Sequence, residues 1–335
     1  MTVVVTGATG HVGANLVRAL IDNNRPTRSL VHVSRQALAG LDTEIVQGDI
    51  RDRESLYRAF SGAEAVYHLA AGISLLTDDW PRLEATNVIG TRNVVEACLR
   101  CGVRRLVHCS SVHALVQEPR CTPVDESRPL VDSRRCPPYD LSKAAAEKEV
   151  QRGIEMGLDA VIVNPTAIIG PHDYQPSYFG AALMAIAGGR LPGLVTGGFD
   201  WVDVRDVAAG ALRAEEMAPT GTRYLLSGHW VSLCDLVNMV AGLIGVAAPR
   251  FVFPLWLARL GVPVVGAFSS LKKKWPFYTS VAMRALGSNR NISCARAARE
   301  LGYQPRPFRE TLIDTLRWFE DTGKLSLPKS GSLYE

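Results

Sequence analysis

Charge of one sign is what this sequence lacks most. Its 37 Lys and Arg stand against 33 Asp and Glu, leaving +4 on 335 residues. There is no Lys/Arg stripe and no zinc-finger spacing, which argues against nucleic acid as the partner. No apolar run reaches the ~20 uninterrupted residues of a membrane span. The most apolar stretch, Phe251 to Phe268, is broken by Pro254, Arg259 and Pro263. Internal repeats are absent. The seven cysteines are scattered and odd in number, which favours free thiols in a reducing compartment. Cys98 and Cys101 form a Cys-x-x-Cys without a second pair, so no metal site is expected. The chain enters an apolar strand at Thr2, leaving no room for a signal peptide, and a cytoplasmic location is expected. A composition of 47% hydrophobic and 21% charged residues suits a globular enzyme, of about two domains at this length.

What is present begins at the N-terminus. Thr2 to Thr6 reads as a buried strand, Ala14 to Asn23 as a helix with Leu16, Val17, Leu20 and Ile21 on one face, and Gly7, Gly10 and Gly13 lie between. Strand, glycine turn and helix together form a dinucleotide cradle, with phosphates at the helix N-terminus. Gly7, Thr9, Gly10, His11, Val12 and Gly13 are its candidate contacts. Further strands are expected at Thr27–Val33, Glu44–Gln47, Ala65–His68, Arg105–Cys109 and Ala160–Val163, alternating with helices at 51–60, 80–100 and from Pro138. That alternation predicts an α/β fold, a Rossmann-type doubly wound parallel sheet. A smaller, mostly helical C-terminal cap is expected over the sheet edge. The division is 1–171 with 201–229 for the dinucleotide domain, 172–200 with 230–322 for the cap, and a loose tail from 323.

An Asp or Glu at the end of the second strand would select NAD by taking the ribose 2′-hydroxyl; a cation would take a 2′-phosphate and select NADP. Here His32-Val-Ser-Arg35 carries no acid. His32, Ser34 and Arg35 therefore favour NADP(H), with NAD(H) the alternative. Asp49 and Ile50 are placed to meet the adenine, and Leu69, Ala70 and Ala71 are small enough for a cofactor to lie against the backbone. Asn164 and Pro165, ending the sixth strand, complete the cofactor candidates.

Tyr139 and Lys143, four apart, share a helix face. An ammonium beside a phenol lowers its pKa and equips it to exchange a proton. Ser111, at a strand end, could hold a substrate oxygen against Tyr139. The combination polarises a carbonyl, or deprotonates an alcohol, while hydride moves to or from a nicotinamide.

These stretches carry a resemblance. Thr6-Gly-Ala-Thr-Gly-His-Val-Gly13, Gly48-Asp49, His68-Leu-Ala-Ala71, Asn87-Val-Ile-Gly-Thr91, Ser110-Ser111, Tyr139-x-x-x-Lys143 and Asn164-Pro165 resemble the extended short-chain dehydrogenase/reductases, to about residue 320. The resemblance implies that Ser111, Tyr139 and Lys143 form the catalytic triad and that Lys143 also contacts the nicotinamide ribose. Val163 to Pro171 looks like the branch holding dihydroflavonol reductases, 3β-hydroxysteroid dehydrogenases and hopanoid-associated sugar epimerases. Sugar-nucleotide epimerases more often carry Arg-Pro at Asn164-Pro165 and Val-Tyr-Gly at His113-Ala-Leu115.

The expected activity is thus an NAD(P)-dependent oxidoreductase acting on a ketone or secondary alcohol of a largely apolar small molecule. The alternatives are a sugar or sugar-nucleotide epimerase and a non-catalytic nucleotide sensor. Ile73, His113, His172, Tyr174 and Tyr178 are the substrate-pocket candidates. Lys272-Lys-Lys-Trp-Pro-Phe-Tyr278 sets lysines beside aromatics, a candidate for peripheral membrane contact. The helices at 80–100 and 138–155 are candidates for pairing across the two-fold axis of a homodimer.

Overall fold

The computed structural model describes residues 2–133, 135–189, 193–246, 248, 251–258 and 279–327. The first strand, β1 (Thr2–Thr6), lies inside a seven-stranded parallel sheet. With β2 (Thr27–Val31), β3 (Glu44–Gln47), β4 (Ala63–His68), β5 (Arg105–Cys109), β6 (Ala160–Pro165) and β10 (Arg223–Leu226), the order is β10-β6-β5-β4-β1-β2-β3. Connections run outward both ways from β1, so the β1 and β4 ends flank the switch point where ligands bind in such sheets.

The sheet is apolar on both faces, as buried parallel strands require. Val3 and Val5 of β1 point to one side, against Leu16, Val17 and Leu20 of helix α1 (His11–Asp22) and Val207, Ala208 and Ala211 of α7 (Val204–Met217). Val4 points to the other, against Leu56 and Phe60 of α2 (Arg53–Phe60), Val94 and Cys98 of α4 (Gly90–Cys101) and Val150 of α5 (Pro138–Glu155).

The expected architecture stands, with local differences. Helix α1 starts at His11 rather than Ala14, directly on the N-cap Gly10. Strand β2 stops at Val31, and Val33 is 79% exposed, so His32 to Arg35 form a turn rather than a strand end. The helix expected over 80–100 is interrupted. A short α3 (Trp80–Leu83) runs into a π-helical stretch, Glu84–Ile89, before α4. Here Gly90 faces Ile50 so closely that a Cβ would stand 2.6 Å from Ile50 Cδ1.

Outside the seven-stranded sheet the chain forms more strand than expected. β7 (Ala167–Ile169), β9 (Gly198–Asp203) and β11 (His229–Ser232) form a mixed sheet, and β8 (Leu194–Val195) pairs with β12 (Val252–Phe253) inside what reads as loop. Helices α6 (Tyr178–Ala187), α8 (Leu233–Ile244) and Phe308–Asp321 cover the mixed sheet with an apolar core of their own. Leu325 and Leu327 are buried in that core, so the start of the expected tail is packed. Residues 328–335 and the Lys272–Tyr278 segment lie outside the described residues. Among the described residues no helix is long and apolar enough to cross a membrane.

Candidate active site

The three glycines of the first turn differ in what surrounds them. Gly7 has φ +69°, and a Cβ there would stand 2.5 Å from Ala70 N. A Cβ on Gly13 would overlap the Gly7 carbonyl oxygen. Both positions are closed by the protein itself. Gly10 is exposed, has ordinary extended φ/ψ (−77°, 172°), and a Cβ would meet only Gly7 O, at 3.3 Å. It is the position facing outward. No side chain caps α1 and no acid occupies its first turn, so its leading N–H groups face the cleft with the positive end of the helix dipole. This is the donor set a pyrophosphate needs, and the cradle fits a dinucleotide.

Across the cleft, β5 ends at Cys109 and Ser111 caps the short 3₁₀ turn Val112–Ala114, its Oγ accepting from His113 N at 3.2 Å. Pro138 opens α5, setting Tyr139 in the first turn and Lys143 one turn on. Ser111 lies close enough to Tyr139 for its side chain to favour the ionised phenol. Lys143 is buried and donates from Nζ to the Cys109 carbonyl at 2.8 Å. Its pKa is lowered, by burial first. Sequence reasoning expects the ammonium to depress the phenol. The structure gives the reverse: burial holds Tyr139 above the ordinary phenol value, with the Ser111 side chain pulling it partly back. Desolvation of the phenolate is the largest cause, and the Lys143 ammonium, bonded to a backbone carbonyl, is not among the groups that lower it. Tyr139 is therefore held as a protonated acid.

Behind the triad lies a buried polar layer. Asn164 Nδ2 donates to Ser111 O (2.9 Å) and to Glu147 Oε1 (2.6 Å), and Glu147 is ion-paired with Arg223. Asn164, expected to touch cofactor, does not line the cleft; it fixes the backbone that carries Ser111. A second chain crosses the sheet end. His68 bonds Thr6 Oγ1 (2.8 Å) through Nδ1 and Thr91 Oγ1 (2.9 Å) through Nε2. Burial, then the Lys143 charge, pushes its pKa down to about 3. Asn87, turned inward by the π-helical stretch, accepts from Gly72 N (2.7 Å) and donates to Gly72 O and Ser142 Oγ (both 2.9 Å). Neither Asn87 nor Glu147 was singled out in the sequence for a role here, since both act through partners distant in the chain.

One cavity of about 840 Å³ joins these parts. Gly7, Gly10, His11, Val12, Gly13, Leu69, Ala71 and Pro165 line it with Ser111, Tyr139 and Lys143. So do the substrate candidates Ile73, His113 and Tyr178. Its far wall is apolar: Phe179, Leu183, Phe199, Trp201, Leu236 and Met283 among others. His172 and Tyr174 are not among the lining residues. Both pack on Trp318, and the Tyr174 hydroxyl accepts from Arg18 at 2.9 Å. His11 also reaches across, its Nε2 3.1 Å from the carbonyls of Gly170 and Pro171.

The remaining cofactor candidates lie away from this cavity. Thr9 is half-buried in the glycine turn, and Ala70 N donates to Thr6 Oγ1 at 3.4 Å. Ile50 is buried against Gly90 and is a packing residue. His32 Nε2 stands 3.2 Å from Asp49 Oδ2, and Arg51 binds Asp49 in a fork. The Arg51 hydrogen bonds hold the Asp49 carboxyl below its usual range. Ser34 Oγ accepts from Gln36 N at 3.4 Å, and Arg35 is exposed. Arg51 was missed in the sequence because it follows β3, not β2; only the sheet order brings the two strand ends together.

Comparison with known proteins agrees with this geometry. The family model of the NAD dependent epimerase/dehydratase family matches residues 3–226. Sterol demethylase protein B of Methylococcus capsulatus is 36% identical over 97% of this chain and 100% of its own. A 3 beta-hydroxysteroid dehydrogenase/Delta 5-->4-isomerase of Mycobacterium tuberculosis is 29% identical over 90% of this chain and 86% of its own. The crystal structure of gox2253 superposes with a TM-score of 0.85 at 35% identity, covering 97% of this chain and 99% of that one.

Proposed function

Because the chain belongs to the NAD dependent epimerase/dehydratase family and is an extended short-chain oxidoreductase, we propose that it uses NADP(H) to reduce the ketone of a largely apolar small molecule. The observation that carries this reading is the continuity of the cavity. The glycine turn, the Ser111–Tyr139–Lys143 group and an apolar far wall line the same space. Its volume falls within the ~300–1,000 Å³ range of small-molecule sites.

A bound nicotinamide would supply the hydride. Ser111 and Tyr139 line the same space, where a carbonyl oxygen would accept a hydrogen bond from each hydroxyl. As negative charge grows on that oxygen, Tyr139 gives up its proton. A phenol that burial keeps protonated is suited to this direction. Lys143 uses one of its three donors on Cys109 O, leaving two for a ribose and for the phenolate formed in the step. Asn164 keeps Ser111 in place through the carbonyl, and the apolar wall excludes water. NADP is favoured over NAD because no acid follows β2, where Arg35 is exposed, and a second guanidinium, Arg51, follows the adjacent β3.

The test is a coupled one. Purified protein should oxidise NADPH with apolar ketones at a higher kcat/KM than NADH, and Tyr139→Phe should lose ~10²–10⁴-fold in kcat while still binding NADPH. Stoichiometric NAD released on denaturing the purified protein, with no net ketone reduction, would replace this reading with the epimerase.

A further inference from the structure

The triad has polar neighbours that the reaction above does not use. His113 lies two residues beyond Ser111, and Asp140 is the residue after Tyr139; both line the cavity. His113 Nδ1 and Asp140 Oδ1 are 4.0 Å apart, with side chains 26% and 18% exposed. That is too far for a hydrogen bond between them. Among the described residues neither side chain hydrogen-bonds any other side chain. Asp140 has only its own backbone N–H, and burial raises its pKa, His113 and Arg284 countering. Arg284 does not fill the gap; its Nη1 donates to Arg135 O at 2.9 Å. A carboxylate with no side-chain donor, facing an imidazole 4.0 Å away in the cavity lining, is an arrangement that a ligand can complete.

We infer that His113 and Asp140 form a hydroxyl receptor, binding a second oxygen of the substrate close to the reacting carbonyl. An oxygen about 2.8 Å from each atom fits a 4.0 Å separation, donating to Asp140 and accepting from His113. A carbonyl or ether oxygen would lack the proton for Asp140, so the group is a hydroxyl. Both receptor residues line the cavity that Ser111 and Tyr139 line, so the hydroxyl belongs to the same substrate as the reacting carbonyl. The substrate class is a hydroxy ketone on an apolar skeleton. This rests on the ketoreductase reading.

The experiment compares matched ketones: deoxybenzoin with each enantiomer of benzoin, and 4-phenyl-2-butanone with 4-hydroxy-4-phenyl-2-butanone. NADPH-dependent kcat/KM is measured for the wild type, His113→Phe and Asp140→Ala, with thermal unfolding of each protein. In at least one pair the wild type should prefer the hydroxylated ketone by ~10–100-fold, the worth of a hydrogen bond to a charged group. Each variant should lose that preference, its kcat/KM values for the two members of the pair falling within threefold of each other. Equal wild-type kcat/KM within both pairs overturns the receptor and leaves the ketoreductase standing. So does an equal loss on both members of a pair, or unfolding of both variants, which marks a structural ion pair at the start of α5. Reduction of none of the four ketones, with NADPH bound, removes the ketoreductase reading and the receptor with it.

Discussion

Gly7, Gly10 and Gly13 carry the same single-atom perturbation, a methyl group, with opposite expected consequences. At Gly13 the methyl overlaps the Gly7 carbonyl oxygen, a backbone atom that moves only if the turn rearranges. At Gly7 it stands 2.5 Å from Ala70 N in a left-handed conformation that alone costs ~1–2 kcal/mol. Gly7→Ala and Gly13→Ala should therefore each destabilise by ~3 kcal/mol or more, the range of backbone clash and strain. Gly10→Ala meets only one atom, at 3.3 Å, with φ/ψ any residue adopts. Loss of a glycine N-cap should cost ~1 kcal/mol at most. Its methyl instead projects where a phosphate approaches α1. Displacing that phosphate by about a bond length forfeits a charge-assisted hydrogen bond, ~1.5–3 kcal/mol, or ~10–100-fold in Kd. Thermal unfolding and NADPH fluorescence titration read the two effects separately. Gly10→Ala with wild-type NADPH affinity, or with the instability of Gly13→Ala, would refute the assignment of the cradle.

Other outcomes follow from the buried polar layer. Asn164→Leu leaves Ser111 O and Glu147 Oε1 without their donor; urea unfolding should show a loss of ~2–4 kcal/mol and kcat should fall at least tenfold. Unchanged kcat would remove Asn164 from the positioning of Ser111. His68 stays neutral in the fold, with a pKa of about 3 against an ordinary ~6.5. Its contribution is therefore complete above pH 6.5 and lost as pH falls from 6.5 toward 3. His68→Gln should flatten the stability–pH slope between pH 6 and 4 by up to ~1.4 kcal/mol per pH unit, and an unaltered slope would contradict that. Asn87→Ala removes three hydrogen bonds; it should destabilise by ~2–3 kcal/mol and raise protease sensitivity at Gly72.

The central sheet was legible because its strands are short apolar runs and the helices between them have their own period. That Ser111, Tyr139 and Lys143 share one cavity was legible because the two helix residues are four apart and the sheet delivers Ser111. What escaped depends on contacts between distant segments. Asn164 reads as a cofactor contact at a strand end, yet its amide is claimed by Glu147, 17 residues back. His172 and Tyr174 read as aromatic pocket lining, yet Trp318, far along the chain, gives them an apolar surface outside the cavity. Strands β8 and β12 have two residues each, too few for any period to show, and only their pairing makes them strands. The depressed phenol failed for a different reason. Spacing reports which charges are near, but the desolvation that opposes them belongs to the packed interior.

The π-helical stretch at Glu84–Ile89 also sets a rule for changes of chain length. Each residue advances an α-helix by ~100°, so a wide turn acts as one extra residue in the helix's phase. Removing any one residue between 84 and 89 would make the helix regular and turn Trp80–Leu83 by that angle relative to α4. Leu83, now fully buried, would rotate toward solvent, and Asn87 would lose its aim at Gly72. Single-residue deletions here should be far less tolerated than substitutions at exposed Glu84 or Ile89. The irregular turn is thus a phase correction that lets one continuous rod serve both the cofactor side and the sheet side.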